Sequence, residues 1–91
     1  MADVGGDLAT LGQLKRDLDD SAARAEQVKS TLDRSVGAAV WRGPNADNFR
    51  AAWQDFSPTF TRLQQALNDA STDVRNQHNN LAAAVGSGDT I

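Results

Sequence analysis

Apolar residues recur at alternating steps of three and four positions along two long stretches of the chain. Seven of the nine positions in the first series are apolar: Leu11, Leu14, Leu18, Ser21, Ala25, Val28, Leu32, Ser35 and Ala39. Eleven of the twelve positions in the second are apolar: Ala46, Phe49, Trp53, Phe56, Phe60, Leu63, Leu67, Ala70, Val74, Gln77, Leu81 and Ala84. This heptad spacing predicts two amphipathic helices, helix 1 over about residues 8–40 and helix 2 over about residues 45–85. The large apolar members of both series are the candidate contact residues of a helical hairpin and of its dimer.

The ends of the two helices carry recognisable signals. Thr10 and Gln13 have the spacing of a capping box at the start of helix 1, and Asp7 is a competing N-cap. Glycines in residues 86–91 end helix 2. We therefore expect a flexible N-terminus over residues 1–7, a helical hairpin over residues 8–85 and a flexible C-terminus over residues 86–91.

The residues between the two helices suit a tight turn. Gly43 allows a backbone conformation that often ends a helix. Pro44 cannot continue helix 1, but it fits the first turn of helix 2. Trp41 is bulky enough to cover the end of the hairpin. The pattern predicts a turn formed by Trp41, Arg42 and Gly43.

Pro58 interrupts the second stretch and leaves two interpretations open. In mid-helix it removes one backbone hydrogen bond and clashes with the carbonyl four residues earlier. Ser57 and Pro58 could instead start a separate helix, with Ser57 as its N-cap. The heptad phase continues without a break from Phe56 to Phe60, which favours a kinked but continuous helix.

Folding the chain at residues 42–43 gives an antiparallel pair in which position i lies opposite about position 85 minus i. Val28 would then face Phe56 or Ser57, and Leu14 would face Ala70. Leu81, Ala84 and Val85 would project beyond helix 1 without a partner. Because a lone hairpin of this size is marginally stable, we predict an all-α fold in which the antiparallel two-helix hairpin dimerises into a four-helix bundle.

Composition and charge narrow the classes of function. The chain is 40% hydrophobic and 23% charged, as is typical of a single globular domain. It has no cysteine, which excludes disulfides, and its net charge of -3 with scattered basic residues argues against nucleic-acid binding. No apolar run approaches the ~20 residues of a membrane span, and the mixed polar faces argue against stable membrane insertion. Residues 1–12 do not resemble a signal peptide.

Candidate chemistry is sparse. His78 is the only histidine, it lies beside the apolar series of helix 2, and no neighbouring residues complete a metal site or a catalytic pair. Acidic pairs such as Asp69 and Asp73 fall on predicted solvated faces, without the burial that tunes a catalytic carboxylate. We predict no enzyme activity, no cofactor and no metal site.

The turn and the start of helix 2 read W-x-G-x-x-A-x-x-F, through Trp41, Gly43, Ala46 and Phe49. With the chain length and the two helices, this resembles the WXG-motif family of type VII secretion substrates, the small early-secreted-antigen-like (Esx-like) proteins. The resemblance implies hairpins that pair antiparallel as homodimers or heterodimers. It also implies folded export without a signal peptide, after a cytoplasmic pool, by an ATPase-driven machine of actinobacteria and other Gram-positive bacteria.

Family members typically combine the W-x-G turn of one subunit with a C-terminal Y-x-x-x-D/E motif of its partner. This sequence contains no tyrosine. The resemblance therefore implies that Trp41, Arg42 and Gly43 form half of an export signal read by the secretion ATPase. We expect a heterodimer, with a second WXG-family hairpin supplying the tail motif, in preference to a homodimer. The alternative function is an intracellular helical adaptor or chaperone that holds a larger toxin or effector and has no export role.

Overall fold

A computed structural model describes residues 6–91, which form three helices in one antiparallel hairpin. The helices are α1 (Leu8–Ala38), α2 (Pro44–Phe56) and α3 (Pro58–Ala84), and α1 packs along α3. The hairpin is a narrow rod of 64 × 22 × 14 Å. The predicted all-α hairpin is confirmed. Of the predicted flexible N-terminus, residues 1–5 lie outside the described residues.

Asp7 begins α1. Its carboxylate accepts a hydrogen bond from the Ala9 N–H at 3.0 Å, and its carbonyl accepts one from the Thr10 hydroxyl at 3.1 Å. The first bond satisfies one of the backbone N–H groups of the first turn, which lack partners within the helix. Of the two candidate caps, Asp7 is therefore the N-cap, and Thr10 lies inside the helix.

Pro58 bends helix 2, which consists of α2 and α3. Ser57, the single residue between them, keeps helical dihedral angles of -57° and -33°. Its N–H donates to the Trp53 carbonyl at 2.7 Å, whereas the Phe60 N–H donates to the Ser57 carbonyl, only three residues back, at 3.1 Å. The backbone thus continues through helical space around the missing proline N–H, as the unbroken heptad phase predicts.

Gly86 ends α3 in a left-handed conformation with φ of 73°. The Gly86 N–H donates to the Ala83 carbonyl, and the Ser87 N–H donates to the Ala82 carbonyl at 2.8 Å. This pair of bonds is the Schellman motif, which satisfies the last carbonyls of a helix and favours glycine at this position.

The residues after Gly86 turn back along α3. The Asn79 side-chain amide accepts a hydrogen bond from the Ile91 N–H at 2.9 Å and donates one to the Ile91 carbonyl at 3.0 Å. An asparagine amide can bond a chain segment in this way because it offers the same donor and acceptor as a peptide group. The flexible C-terminus expected over residues 86–91 stays a prediction.

Mostly small residues are fully buried in α1 and α3. The most buried residues of the two helices are Gly12, Ala22, Ala25, Ser71, His78 and Ala82. Larger apolar residues surround them at intermediate exposure: Leu11, Leu18, Trp53, Phe60, Leu67, Val74 and Leu81. The fully buried positions between α1 and α3 are thus mostly short side chains, and the larger apolar side chains are only partly covered within the hairpin.

The predicted register is correct near the turn and wrong beyond Pro58. Trp53 bonds Asp33, one residue from its expected partner. Ser71, expected near Leu14, instead bonds Asp19, five residues further along α1. The shift falls across the bend at Pro58, where the apolar pattern contains no information about the relative advance of the two helices.

The shifted register also corrects part of the predicted overhang of helix 2, although Ala84 and Val85 remain exposed as expected. Leu81, which we expected to project without a partner, is half-buried, and Ala82 is fully buried. His78, expected on the overhang, is only 2% exposed, and its Nδ1 lies 3.2 Å from the Asn79 Oδ1. These residues lie within the hairpin because α3 meets α1 about one helical turn earlier than the simple register allows.

Candidate recognition turn and pairing edge

The turn begins where α1 ends, at Ala38, two residues earlier than predicted. Ala39 donates its N–H to the Ser35 carbonyl at 3.0 Å, but its ψ of 130° is extended. Val40, Trp41 and Arg42 then follow outside the helix. The turn is consequently longer than the sequence alone indicates, and Val40 belongs to it.

Gly43 sets the direction in which the chain enters α2. Its dihedral angles are 116° and 176°, a combination that is essentially restricted to glycine. Pro44 occupies the first turn of α2, and the Asp47 N–H donates to the Gly43 carbonyl at 3.1 Å. Ala46 is fully buried under the turn, so the small side chain of the W-x-G-x-x-A pattern has a direct packing reason.

Trp41 lies on the tip of the hairpin and remains accessible. Its ring packs against Phe49 with centroids 5.8 Å apart and planes tilted by 51°, an arrangement that aromatic pairs favour. Trp41 is still 45% exposed, Phe49 is also exposed, and Val40 is 91% exposed. We call these three residues the apolar tip.

Arg50 ties the turn to α2. Its Nη1 donates to the Trp41 carbonyl at 2.8 Å, and its Nη2 donates to the Ala39 carbonyl at 3.1 Å and approaches the Val36 carbonyl at 3.5 Å. These carbonyls lie in or after the last turn of α1, where they lack partners within the helix.

Our sequence reasoning missed Arg50, because it followed apolar positions. A weak signal was present, since polar residues at intermediate or low exposure recur every seven positions along helix 2: Arg50, Ser57, Gln64, Ser71 and His78. These polar residues flank the apolar series of helix 2, on the side that faces α1.

One edge of the hairpin is closed by polar contacts that we call the polar ladder. Three carboxylates, spaced seven residues apart on α1, each accept a hydrogen bond from helix 2. The pairs are Asp33 with Trp53 Nε1 at 2.7 Å, Glu26 with Gln64 at 3.2 Å, and Asp19 with the Ser71 hydroxyl. The ladder fixes the helices against sliding, because each rung needs a specific pair of positions.

Lysines one turn earlier reinforce the two outer rungs. Lys29 lies 2.8 Å from Asp33, and Lys15 lies 2.6 Å from Asp19. The hydrogen bond from Lys29, and then the bond from Trp53, lower the pKa of the Asp33 carboxyl below its usual value. The bonds from Lys15 and Ser71 lower the pKa of Asp19 in the same way.

The opposite edge of the hairpin is apolar and open. We call it the apolar edge, and its members are Leu14, Val28, Leu32, Phe49, Phe56 and Leu63. All were predicted contact residues, yet each remains at least 38% exposed. At 100° per residue they fall on the flank of each helix away from the polar ladder. A shallow groove along this edge passes between Arg24, Val28 and Leu32.

Further chemistry is not assembled in the described part of the chain. Within residues 6–91, no group of three or more His, Asp or Glu side chains is arranged to hold a metal ion. None of the helices described above combines the length and the apolar character needed to cross a membrane. The apolar tip and the apolar edge are exposed apolar surfaces of the hairpin.

A protein-family model, WXG100, described as "Proteins of 100 residues with WXG", matches residues 6–85. The match includes both helices and the turn. Neither the search of curated proteins nor the search of solved structures found a match.

Proposed function

The chain belongs to the WXG100 family, the WXG-motif family of type VII secretion substrates, and from that premise we propose that it is a small secreted substrate, or the co-secreted partner of one, of a type VII system. It leaves a cytoplasmic pool by a route that reads the folded turn instead of an N-terminal leader. Its action is binding, and its two binding surfaces are the apolar edge and the apolar tip.

The apolar edge supports pairing with a second helical hairpin. WXG100 proteins typically pair with another WXG protein. The polar ladder already has its hydrogen bonds within this chain, whereas the apolar edge leaves Phe56 54% and Leu63 47% exposed. Contiguous apolar surface of this kind marks an interaction site. A partner hairpin laid along it would complete a four-helix bundle.

We propose that the partner is a different chain, which makes the complex a heterodimer. The bipartite signal of the family combines a W-x-G turn with a Y-x-x-x-D/E tail, and the 91 residues contain no tyrosine. A partner hairpin that supplies the tail would bring the two halves together at one end of the bundle. The secretion ATPase would read that composite end.

The observation that carries the export proposal is the half-exposed Trp41 on a fixed turn. A tryptophan that served only to close the hairpin would be covered, yet Trp41 leaves almost half of its surface to solvent while packing on Phe49. Exposed aromatic residues on a rigid backbone are typical anchors of protein recognition.

Substituting Trp41 by alanine tests the export proposal. In cells with a type VII system and the partner, we expect Trp41→Ala to be lost from the culture supernatant while pairing with the partner persists. Val85→Ala is the matched control, because it shortens another exposed apolar side chain at a position just after α3, away from the turn, and should leave export unchanged. The measurement is the ratio of secreted to cellular protein, with pairing checked by co-purification.

The adaptor function gives the opposite result. An intracellular adaptor needs no export signal, so Trp41→Ala would alter only its binding or stability. Normal secretion of Trp41→Ala alongside the wild type would contradict the proposed role of the turn. That result would not bear on whether the apolar edge pairs with a second hairpin, which needs a separate test.

A further inference from the structure

We infer that Arg50 is a positioning residue that holds the Trp41–Gly43 turn in one shape before any partner binds. The inference rests on the proposed function, in which that turn is the recognised element. Arg50 is not part of the W-x-G pattern. It lies nine residues after Trp41, on α2, and it reaches back to the turn through three backbone carbonyls.

The end of α1 needs such a partner. The last carbonyls of a helix have no N–H groups to accept from, and the negative end of the helix dipole lies there. The last turn of α1 contains no basic residue. The Arg50 guanidinium supplies both the donors and the positive charge from the facing helix, at the carbonyls of Val36 and Ala39.

The bond to the Trp41 carbonyl extends this cap into the turn. At 2.8 Å it is the shortest of the three contacts, and it fixes the peptide group that follows the Trp41 side chain. Because Phe49 precedes Arg50, the residue that packs on the Trp41 ring and the residue that holds the Trp41 backbone are neighbours on α2. Ring and backbone are therefore held by the same helical turn.

Arginine suits this task and lysine does not. The guanidinium has five donors in a rigid planar fork, so its two terminal nitrogens can bond separate carbonyls at once. A lysine has one ammonium nitrogen at the end of a flexible side chain. That nitrogen could bond the Trp41 carbonyl or the Ala39 carbonyl, but would not hold both in fixed positions. A turn ordered in advance also lowers the entropic cost of being bound.

Backbone dynamics of the turn test the inference in the folded protein, measured on the chain alone if it is helical by circular dichroism and otherwise with a partner hairpin truncated before its tail motif, so that nothing is bound at the turn. We would measure ¹⁵N relaxation for residues 40–43 in the wild type, Arg50→Ala and Arg50→Lys. We expect order parameters near the rigid value of about 0.85 in the wild type and below about 0.6 in Arg50→Ala. We expect intermediate values in Arg50→Lys.

Arg62→Ala is the matched control. It removes the same charge from the same bent helix, but among residues 6–91 Arg62 bonds only the Thr59 hydroxyl, three residues back. Its turn should stay as rigid as in the wild type. A turn that stays rigid in Arg50→Ala would overturn the inference, as would full recovery by Arg50→Lys. Loss of order along all of α1 would also overturn it, because Arg50 would then support the hairpin as a whole.

Export measured on the same variants separates this inference from the proposed function. If the turn loosens in Arg50→Ala and Trp41 is needed for export, we expect secretion of Arg50→Ala to fall roughly tenfold, as the loss of charged hydrogen bonds implies. If the turn loosens but Trp41→Ala is exported normally, the positioning role of Arg50 stands and the export proposal fails.

Discussion

Gly43 and Ala46 constrain the turn in two different ways. Gly43 is required for its dihedral angles, since its φ is 116°. Space is not the reason, because a side chain built there would meet no atom within 4 Å. Ala46 is required for its size, because it is completely buried where α2 starts. The backbone shape that Gly43 allows and the small volume of Ala46 explain two residues of the W-x-G-x-x-A pattern without reference to any partner.

Gly43→Ala should destabilise the hairpin by about 1–3 kcal/mol, the cost of forcing a side chain into a conformation that glycine alone adopts readily. Gly37→Ala is the matched control. Gly37 lies on the exposed side of α1 with open space around it, so alanine there should stabilise by about 0.5–1 kcal/mol. The free energies of unfolding in urea would check both. Equal effects of the two substitutions would show that the turn is not held in this conformation.

The contacts of Arg50 could not be predicted from the sequence, for a physical reason. The W-x-G turn was predicted because glycine and proline restrict the local backbone in known ways. The Arg50 contacts depend on where the end of α1 comes to lie relative to α2, nine to fourteen residues away along the chain. Nothing in the hydrophobic pattern encodes that distance, since Arg50 bonds backbone carbonyls that every residue possesses.

At the scale of the helices, the sequence predicts the elements well and their relative positions less well. Heptad spacing placed both helices within two residues of their observed ends, and the bend at Pro58 followed from the continuous phase. The register failed beyond that bend, where Ser71 meets Asp19. The register depends on polar pairs such as Gln64 with Glu26, whose partners on the other helix are not identifiable from either helix alone.

The polar ladder predicts how the pairing of α1 with helix 2 responds to acid. Because the pKa of Asp33 is lower in the folded state than its usual value of about 3.9, Asp33 contributes stability that is complete above that usual value. The contribution is lost as the pH falls through the lowered folded pKa. The free energy of unfolding should therefore drop on acidification from about pH 5 towards pH 2, and Asp19 adds a drop of the same sign.

Asp33→Asn should flatten part of this acid dependence, because asparagine can still accept the Trp53 hydrogen bond but has no charge to lose. Asp55→Asn, at an exposed carboxylate of α2 outside the ladder, removes the same charge and serves as the control. Urea unfolding at a series of pH values measures both. If Asp33→Asn retains the full acid dependence of the wild type, the ladder does not couple protonation to folding.

At the scale of the whole molecule, the two edges of the rod differ in what they leave unsatisfied. The polar ladder has carboxylates, lysines and helix-2 donors already paired with one another. The apolar edge leaves aromatic and leucine side chains in water along the opposite side. Because the groups of the polar ladder are already hydrogen-bonded, the small rod gains stability chiefly when a partner covers the apolar edge. The apolar tip stays at the end of the rod, where a bundle formed along its length does not hide Trp41.

Phe56→Ser should therefore weaken pairing while the hairpin itself survives. Phe56 is 54% exposed and belongs to the apolar edge. If pairing covers it, losing about 1.5–3 kcal/mol of apolar burial should weaken association about 10- to 100-fold. Val85→Ser, at an exposed apolar residue just after α3 and off the apolar edge, should leave association unchanged.

Light scattering across a concentration series would measure the association of these variants. The chain is measured alone if circular dichroism shows it to be helical and light scattering shows it to be a dimer, and otherwise with its partner hairpin. Association that is as strong in Phe56→Ser as in Val85→Ser would place the partner on some other face, and the four-helix bundle proposed for this edge would be wrong.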